Sequence, residues 1–199
     1  MALPRGAECV WILETVPGQV ISLTIDDIDL GDEDQIIFYD GATPAAQVLG
    51  VSKYLTSSSN FIYVYLVTST NSNTKRGFSI SYKRGCDLVI SADPSGSITS
   101  PGNLVNRYPN NLQCTYTIES SDETRSISVG FEKFDVADDD SLKIFENSAK
   151  GRGLLDSQIS KPDNNQIDSK VSRLQVIFKS SATRNAMGFN FTFSVDCAP

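Results

Sequence analysis

The most informative absence in this chain of 199 residues is histidine, which does not occur at all. A Ser-His-Asp triad and a Cys-His pair both use an imidazole as the general base, and histidine is also the commonest ligand of transition metals. The sequence therefore excludes hydrolases that depend on a histidine base, and it excludes any histidine-based metal centre.

Long apolar segments are missing as well. No run approaches the roughly 18 apolar residues that a membrane-spanning helix needs, so no membrane insertion is expected in this segment. Within residues 1–20 the only apolar block is Val10 to Leu13, which is too short for a secretory signal peptide. If the protein is extracellular, we expect this sequence to be a processed form or a fragment of a longer protein.

Positive charge is scarce throughout the chain. The 17 basic and 24 acidic residues give a net charge of -7. Residues 1–85 hold 6 basic and 9 acidic residues, a balance of -3, and residues 86–199 hold the other 11 and 15, a balance of -4. Because nucleic-acid binding needs a basic surface, neither half is expected to bind nucleic acid.

Apolar residues instead alternate with polar ones along most of the chain. The clearest segments are Ile21-x-Leu23-x-Ile25, Ile62-x-Val64-x-Leu66, Ile127-x-Val129-x-Phe131 and Leu174-x-Val176-x-Phe178. Alternation with a period of two is typical of half-buried β-strands. Turn pairs such as Pro17-Gly18 and Asp40-Gly41 separate the segments, and no window shows a helical period with caps.

The alternating segments form an internal repeat. Residues 20–41 align with residues 126–147 at an offset of 106 positions, and Gly77-Phe78 aligns with Gly188-Phe189 at an offset of 111. We therefore predict an all-β fold of two tandem antiparallel β-sandwiches, each of about 100 residues. The first spans residues 1–85 and lacks an opening ribbon, and the second spans residues 86–199. Trp11 falls where Tyr116 sits and is expected to be a core residue.

A ten-residue pattern opens the second copy: a cysteine, then Gly-x-Ile-x-Ser-Pro, Tyr-Pro and Cys-x-aromatic-x-Ile. Its members are Cys86, Gly96, Ile98, Ser100, Pro101, Tyr108, Pro109, Cys114, Tyr116 and Ile118. This pattern resembles the CUB domain. The resemblance continues through Asp140-x-Leu142-x-Ile144 and Gly188-Phe189, and more weakly through the first copy. It implies sandwiches of the jelly-roll type.

The four cysteines permit three ways of forming two disulfides. The CUB resemblance implies a bond between Cys86 and Cys114. In the repeat, Cys9 matches Cys114 and Cys197 matches Cys86, so we expect both to pair with segments outside this sequence. A Cys9–Cys197 bond, or a dimer linked through either residue, remains open.

Acidic residues cluster after the second strand of each copy, which the resemblance places in loops at one end of each sandwich. We predict that these loops bind a protein partner, with a basic ligand as one option. The predicted partner-binding residues are Asp29, Asp32 and Asp34 in the first copy and Asp135, Asp138 and Asp140 in the second.

Many CUB domains bind calcium in this region through a Glu, an Asp and a second Asp from a distant loop. In the two copies the Glu position holds Gly31 and Ala137, unless a gap in the alignment places Asp32 or Asp138 there. The first Asp position holds Asp34 and Asp140, and the distant Asp position holds Ser69 and Ser181. Calcium takes six to eight oxygen ligands, several of them carboxylates. We therefore favour solvated acidic turns with no cofactor and keep a degenerate calcium site as the alternative.

The segment Asn190-Phe191-Thr192 is an N-glycosylation sequon. If Phe189, Phe191 and Phe193 point inward, Asn190 points to the surface, so we predict it as a glycosylation site.

Catalysis is not expected, because each acidic cluster lies in a short turn with no apolar pocket to raise a carboxyl pKa. The resemblance implies a non-catalytic, extracellular protein-binding module of a larger secreted or cell-surface protein. A carbohydrate-binding protein and a matrix protein that assembles through Cys9 and Cys197 are the alternatives.

Overall fold

The computed structural model describes residues 3–71, 75–92, 95–148, 151–158 and 166–196. The regular structure in these residues consists of 15 β-strands, which confirms the predicted all-β class. No helix in these ranges is long and apolar enough to cross a bilayer. The chain divides into two compact units, Met1–Gly85 and Cys86–Pro199.

The first unit is a sandwich of two three-stranded sheets. Its strands are β1 (Glu8–Glu14), β2 (Ile21–Asp29), β3 (Gln35–Tyr39), β4 (Tyr54–Thr56), β5 (Phe61–Val67) and β6 (Gly77–Arg84). One sheet has the order β1-β5-β3 and the other has the order β4-β2-β6. All of the pairings in these two sheets are antiparallel.

The second unit has a four-stranded and a five-stranded sheet. Its strands are β7 (Leu88–Ser91), β8 (Ser95–Thr99), β9 (Gln113–Glu119), β10 (Ile127–Asp135), β11 (Ser141–Ser148), β12 (Gly151–Gln158), β13 (Gln166–Asp168), β14 (Arg173–Lys179) and β15 (Gly188–Val195). The sheet orders are β13-β10-β15-β8 and β12-β11-β14-β9-β7. The β7–β9 pair is parallel.

The units share one strand plan. Strands β1 to β6 correspond in order to β9, β10, β11, β13, β14 and β15, by the sheet orders and by sequence offset. A β-bulge between Ile25 and Asp27 interrupts the β2–β6 ladder, and a bulge between Phe131 and Lys133 interrupts the β10–β15 ladder. Both bulged positions differ by the repeat offset of 106 residues, so the repeat extends to irregularities that alternation does not reveal.

Alternating side chains build a separate core in each unit. The first core contains Leu23, Phe38, Leu55 and Ile62, each fully buried, among other aliphatic residues. The second is richer in aromatic rings: Phe178 contacts Phe189 edge-on at a centroid distance of 5.2 Å, and Tyr116 contacts Phe189 at 6.1 Å. Edge-to-face aromatic pairs add about 0.5–1.5 kcal/mol each to the free energy of burial.

A disulfide joins Cys86, just before β7, to Cys114 in β9, as the resemblance implied. The two Cα atoms are 5.0 Å apart and both residues are buried. The Asp87 carboxylate accepts a hydrogen bond from the Thr115 N–H at 2.7 Å beside the bond. These contacts hold β7 against the edge of β9 at the point where their parallel pairing begins.

Strands β7 and β8 have no counterpart among the described residues of the first unit, so β1 and β6 are edge strands there. The prediction that Trp11 is a core residue is wrong: 42% of Trp11 is exposed, whereas its counterpart Tyr116 is fully buried. The physical reason is that Tyr116 lies next to Leu88 of β7 in the ladder, whereas no strand among the described residues pairs with the outer side of β1, which holds Trp11.

Replacing both Cys86 and Cys114 with Ser should destabilise the second unit by about 3 kcal/mol, because the unfolded chain loses the constraint of a 28-residue loop. Urea unfolding followed by far-ultraviolet circular dichroism reports both units. Trp11, the single tryptophan, reports the first unit by fluorescence. Cys9→Ser is the control. The account is contradicted if the Trp11 transition moves as far as the transition of the second unit.

Candidate partner-binding loops

Asp34 closes the acidic loop that connects β2 to β3 in the first unit. It is only 8% exposed. One carboxylate oxygen accepts the Ser69 N–H of the β5–β6 connection at 2.8 Å, and the other accepts the Gly31 N–H at 2.9 Å. Because both oxygens bond backbone donors, Asp34 fixes two neighbouring loops to each other.

Asp140 has the same place in the second unit and is 3% exposed. Its Oδ1 accepts the Ser181 N–H at 2.6 Å, and its Oδ2 accepts the Tyr108 hydroxyl at 2.5 Å. The Tyr108 oxygen in turn accepts the Ala137 N–H at 2.9 Å. In the second unit the Tyr108 hydroxyl therefore links the Asp140 carboxylate to the Ala137 N–H. In the first unit the equivalent carboxylate, Asp34, accepts the Gly31 N–H directly.

Tyr108 is fully buried and contacts Phe178 edge-on at 5.0 Å. Burial in this apolar surrounding, together with the hydrogen bond to Asp140, raises the pKa of Tyr108 well above its ordinary value. The hydroxyl therefore stays protonated at physiological pH and keeps donating to Asp140.

Asp29 ends β2 and Asp135 ends β10, and each accepts a hydrogen bond from the residue that directly precedes the last strand of its unit. Asp29 accepts the Arg76 N–H at 3.0 Å and forms ion pairs with Lys75 and Arg76 at 3.1 Å. The Arg76 backbone bond and then the Lys75 bond lower the pKa of Asp29 to about 2. Asp135 accepts the Met187 N–H at 2.9 Å. Both carboxylates thus secure the last strand at this end of the sandwich.

Asp32 and Asp138 point to solvent instead. Asp32 has no hydrogen bond or ion pair with another described residue, and the Asp138 side chain is 93% exposed with one distant partner, Arg184 at 3.8 Å. The next residue in each loop is also an exposed acid, Glu33 or Asp139.

Neighbouring hydroxyl groups orient the side chains of Glu33 and Asp139. Ser69 Oγ donates to Glu33 at 2.5 Å, and Ser181 Oγ donates to Asp139 at 2.9 Å. Thr183 adds a bond to Asp139 at 2.6 Å, and these hydroxyl donors lower the pKa of Asp139, with Thr183 the larger cause.

The six predicted residues therefore fall into two groups. Four bond other parts of their own unit, and these are Asp29, Asp34, Asp135 and Asp140. Two face solvent, Asp32 and Asp138, and the structure adds Glu33 and Asp139 beside them. The sequence could have indicated Glu33 and Asp139 as well, because each directly precedes the buried aspartate of its loop.

Comparison with known proteins identifies the family. The CUB domain model matches residues 2–82 and 86–193. The chain belongs to the CUB domain family. Both units are CUB units by this match, which covers nearly the whole chain.

Several curated CUB proteins are similar to this chain. Cubilin of Sus scrofa is 29% identical over 213 residues, which span 98% of this chain and 6% of cubilin. Bone morphogenetic protein 1 of Xenopus laevis and neuropilin-1 of Rattus norvegicus are each 27% identical, over 93% and 94% of this chain and 28% and 23% of those proteins. The chain thus spans a small part of the relatives that it matches.

Among solved structures, the CUB1-EGF-CUB2 domain of human MASP-1/3 is 17% identical with a TM-score of 0.49, covering 98% of this chain and 95% of that one. Proteins of this family are extracellular or are ectodomains, and this chain is assigned to the same compartment. CUB domains in these proteins mediate protein interactions.

The calcium ligands of other CUB domains do not fit the residues present here. In the part of the chain that the structure describes, no group of three or more Asp, Glu, His or Cys side chains is placed to hold a metal ion. The hydroxyls of Ser69 and Ser181, at the position of the distant Asp, donate hydrogen bonds to Glu33 and Asp139.

Asn190 lies in β15 between buried Phe189 and Phe191, so its side chain is on the outer face of the sheet. Its Nδ2 donates to Glu132 Oε2 at 2.6 Å, and its Oδ1 is buried without a hydrogen-bond partner. Glycosylation of Asn190 stays a prediction.

Cys9 in β1 is a half-buried free thiol. Cys197 lies outside the described residues. The pairing of Cys9 and Cys197 with segments outside this sequence stays a prediction.

Asp140→Ala should destabilise the second CUB unit, because it leaves the Ser181 N–H and the Tyr108 hydroxyl without an acceptor, at about 1–3 kcal/mol for each group. Asp138→Ala is the matched control and should change stability by less than about 0.5 kcal/mol, because that side chain is exposed. Urea unfolding followed by circular dichroism measures both. Equal stability of the two variants would show that Asp140 is not a structural residue.

Proposed function

We propose that this chain is a non-catalytic extracellular module that binds a protein partner through the acidic loops at one end of each CUB unit. The residues that contact the partner are the exposed pairs Asp32-Glu33 and Asp138-Asp139. Asp34 and Asp140 position these pairs, and Asp29 and Asp135 secure the strand beside them. The chemistry that suits such loops is a basic side chain, Lys or Arg, on the partner.

The observation that carries the proposal is the contrast within each loop. The buried aspartate, Asp34 or Asp140, accepts hydrogen bonds from its own unit, and the two acids directly before it remain exposed. A loop held by internal bonds loses little conformational entropy when a partner binds, which favours affinity. The same contrast recurs in both units.

Exposed ion pairs contribute only about 0.2–1 kcal/mol each, so a single carboxylate does not make a binding site. Two adjacent acids in one loop offer several acceptor oxygens to one ammonium or guanidinium group. The net charge of -7 adds long-range attraction for a basic partner, which speeds association at low salt.

Hydrogen bonds lower the pKa values of three carboxyl groups of the chain. The pKa values of Asp29, Asp139 and Asp168 are all lowered by hydrogen bonds, with Gln166 the main cause at Asp168. A carboxyl group that acts as a general acid near neutral pH needs a raised pKa instead. These three groups are therefore suited to remain charged.

The test is binding of the full chain to an immobilised panel of peptides that centre one Lys or Arg among neutral residues. We expect selected Lys peptides to bind, to lose binding when the lysine is acetylated, and to bind more weakly at 0.5 M than at about 0.15 M NaCl because salt screens exposed charge. The variant Asp32→Asn, Glu33→Gln, Asp138→Asn, Asp139→Asn should bind at least about 10-fold more weakly, which corresponds to 1.4 kcal/mol.

The matched control removes acids at the opposite end of each sandwich, Glu14→Gln with Glu123→Gln, and should bind as the unmodified chain does. Thermal melting establishes that each variant is folded. Binding that ignores acetylation, or that survives in the four-site variant, would rule out these loops as the binding site.

A further inference from the structure

The outer face of the β1-β5-β3 sheet in the first unit carries apolar and aromatic side chains in two rows. Across the three strands, one row consists of Val10, Tyr65 and Ile37, and the next row consists of Ile12, Tyr63 and Tyr39. These six side chains alternate along their strands with buried core residues such as Phe38 and Val64. They therefore point away from the second sheet, and we call these six residues the apolar face.

The apolar face is open to solvent. Val10 and Ile12 are 46% and 55% exposed, and the other four side chains are half-buried. The rings of Tyr39 and Tyr63 contact each other edge-on at a centroid distance of 5.8 Å, which restricts their motion before any partner arrives. An exposed apolar patch of a few hundred Å² marks an interaction surface on a soluble protein.

The shared strand plan does not require apolar residues at these positions, because four of the six are polar in the second unit. Thr115, Thr117, Lys143 and Gln175 stand there in place of Val10, Ile12, Ile37 and Tyr63. Phe145, the counterpart of Tyr39, lies under the Arg152 guanidinium, which is 3.8 Å from the ring centroid. The apolar face is therefore a property of the first unit alone.

The apolar face also does not depend on what pairs with the outer side of β1. In the second unit β7 has that place, and its Val89 pairs with Thr117 on the outer face and stays 67% exposed. A strand beside β1 would therefore widen the apolar face and would not cover it. Ile37 and Tyr63 lie on β3 and β5, farther from that edge.

The charges in the three strands are acidic. Glu8 and Glu14 are the only charged residues of β1, β3 and β5, and both are exposed. The Tyr65 hydroxyl donates to Glu8 Oε1 at 3.0 Å, which holds this carboxylate at the border of the apolar face. Because these strands contain no Lys or Arg, the apolar face is complementary to an apolar partner that carries a basic residue.

The size of the sheet argues against a second copy of this chain as the occupant. The seven residues of β1 or β5 span about 23 Å and three strands span about 15 Å, so the sheet offers about 350 Å². A stable interface between globular partners buries about 800 Å² on each side. A second copy would also add its own acids and no basic residue, so a smaller and basic element fits better.

We infer that the apolar face binds an amphipathic helix of a protein partner, with a Lys or Arg of the helix over Glu8. The N–H and C=O groups of a sheet bond its own strands, so its face offers none to a docked segment. A helix satisfies its own backbone groups and can lie on such a surface without unpaired donors. About 15 helical residues at 1.5 Å each span the length of the strands.

The probe is a phage-displayed library of 15-residue amphipathic helices, with the apolar stripe and both terminal turns randomised, selected on the immobilised full chain. We expect the recovered helices to keep apolar residues three and four positions apart and to carry Lys or Arg in a terminal turn. The synthetic form of the tightest helix should shift the methyl NMR signals of Val10, Ile12 and Ile37. The signals of Val51, which is 73% exposed in a loop, should not move.

The face variant Ile12→Thr, Ile37→Lys, Tyr63→Gln introduces the residues that the second unit carries at the same places, so it should fold. It should bind the synthetic helix at least about 10-fold more weakly, which corresponds to 1.4 kcal/mol. The matched control Val51→Lys, Tyr82→Gln makes the same kinds of change at exposed positions outside the apolar face and should bind as the unmodified chain does. Thermal melting establishes that both variants are folded.

A second variant, Glu8→Gln, tests the charge and leaves the apolar side chains unchanged. It should weaken binding of the helix about 2- to 5-fold, because an exposed ion pair contributes little. Replacing the basic residue of the helix with Gln should then cause no further loss. The four-site acidic-loop variant should bind the helix normally, which separates this result from the proposed function.

Equal affinity of the face variant and the unmodified chain for the recovered helices would overturn the site, and so would a selection that recovers no binding helix. Binding that survives a proline at the centre of the helix would overturn the helical occupant. Self-association of the chain that the face variant abolishes would overturn the partner helix as well, since the occupant would then be a second copy of this chain.

Discussion

The second CUB unit depends on the closure of both of its sheets by one ribbon. The Cys86–Cys114 bond fixes the start of that ribbon to β9, and the pairing of β8 with β15 fixes its end to the other sheet. Burial of Ile90 and Ile98 between the two contacts contributes about 1.5–3 kcal/mol for each side chain. The complete exclusion of solvent from Tyr116 follows from this closure.

The first unit shows the consequence of the same plan without the ribbon. Its strand registers and its bulge repeat those of the second unit, and it keeps its own core of aliphatic side chains. What changes is the edge: Trp11 and Tyr82 become exposed, and a thiol that has a partner in the second unit is free. Exposed edge strands are templates for further pairing.

In the acidic loops that connect β2 to β3 and β10 to β11, the carboxylates have two different roles. Asp34 and Asp140 are buried and satisfy backbone donors from a neighbouring loop, and the acids before them face solvent. A buried carboxylate is tolerated only when its oxygens are bonded. Asp34 accepts the main-chain N–H groups of Gly31 and Ser69, and Asp140 accepts the main-chain N–H of Ser181 and the hydroxyl of Tyr108. The exposed acids are the residues that we propose to contact a partner.

The fold was largely readable from the sequence, because period-two alternation and the repeat offset report which side chains face the core. The split among the six acids was not readable. Asp138 and Asp140 look equivalent in sequence, and only the approach of Tyr108 and Ser181 from distant loops makes Asp140 a buried residue. The prediction that Trp11 is a core residue was wrong for a related reason. Alternation shows that a side chain faces inward, but whether another strand covers it depends on long-range pairing.

Residue-resolved amide hydrogen exchange of the full chain tests the central claim, that the two units share one framework and differ in edge closure. The account predicts that roughly half of the amides in β1 and β6, those directed away from the neighbouring strand, exchange rapidly, because only one side of an edge strand is paired. The counterpart amides of β9 and β15 should be protected on both sides. Equal protection of β1 with β9 and of β6 with β15 would contradict the account.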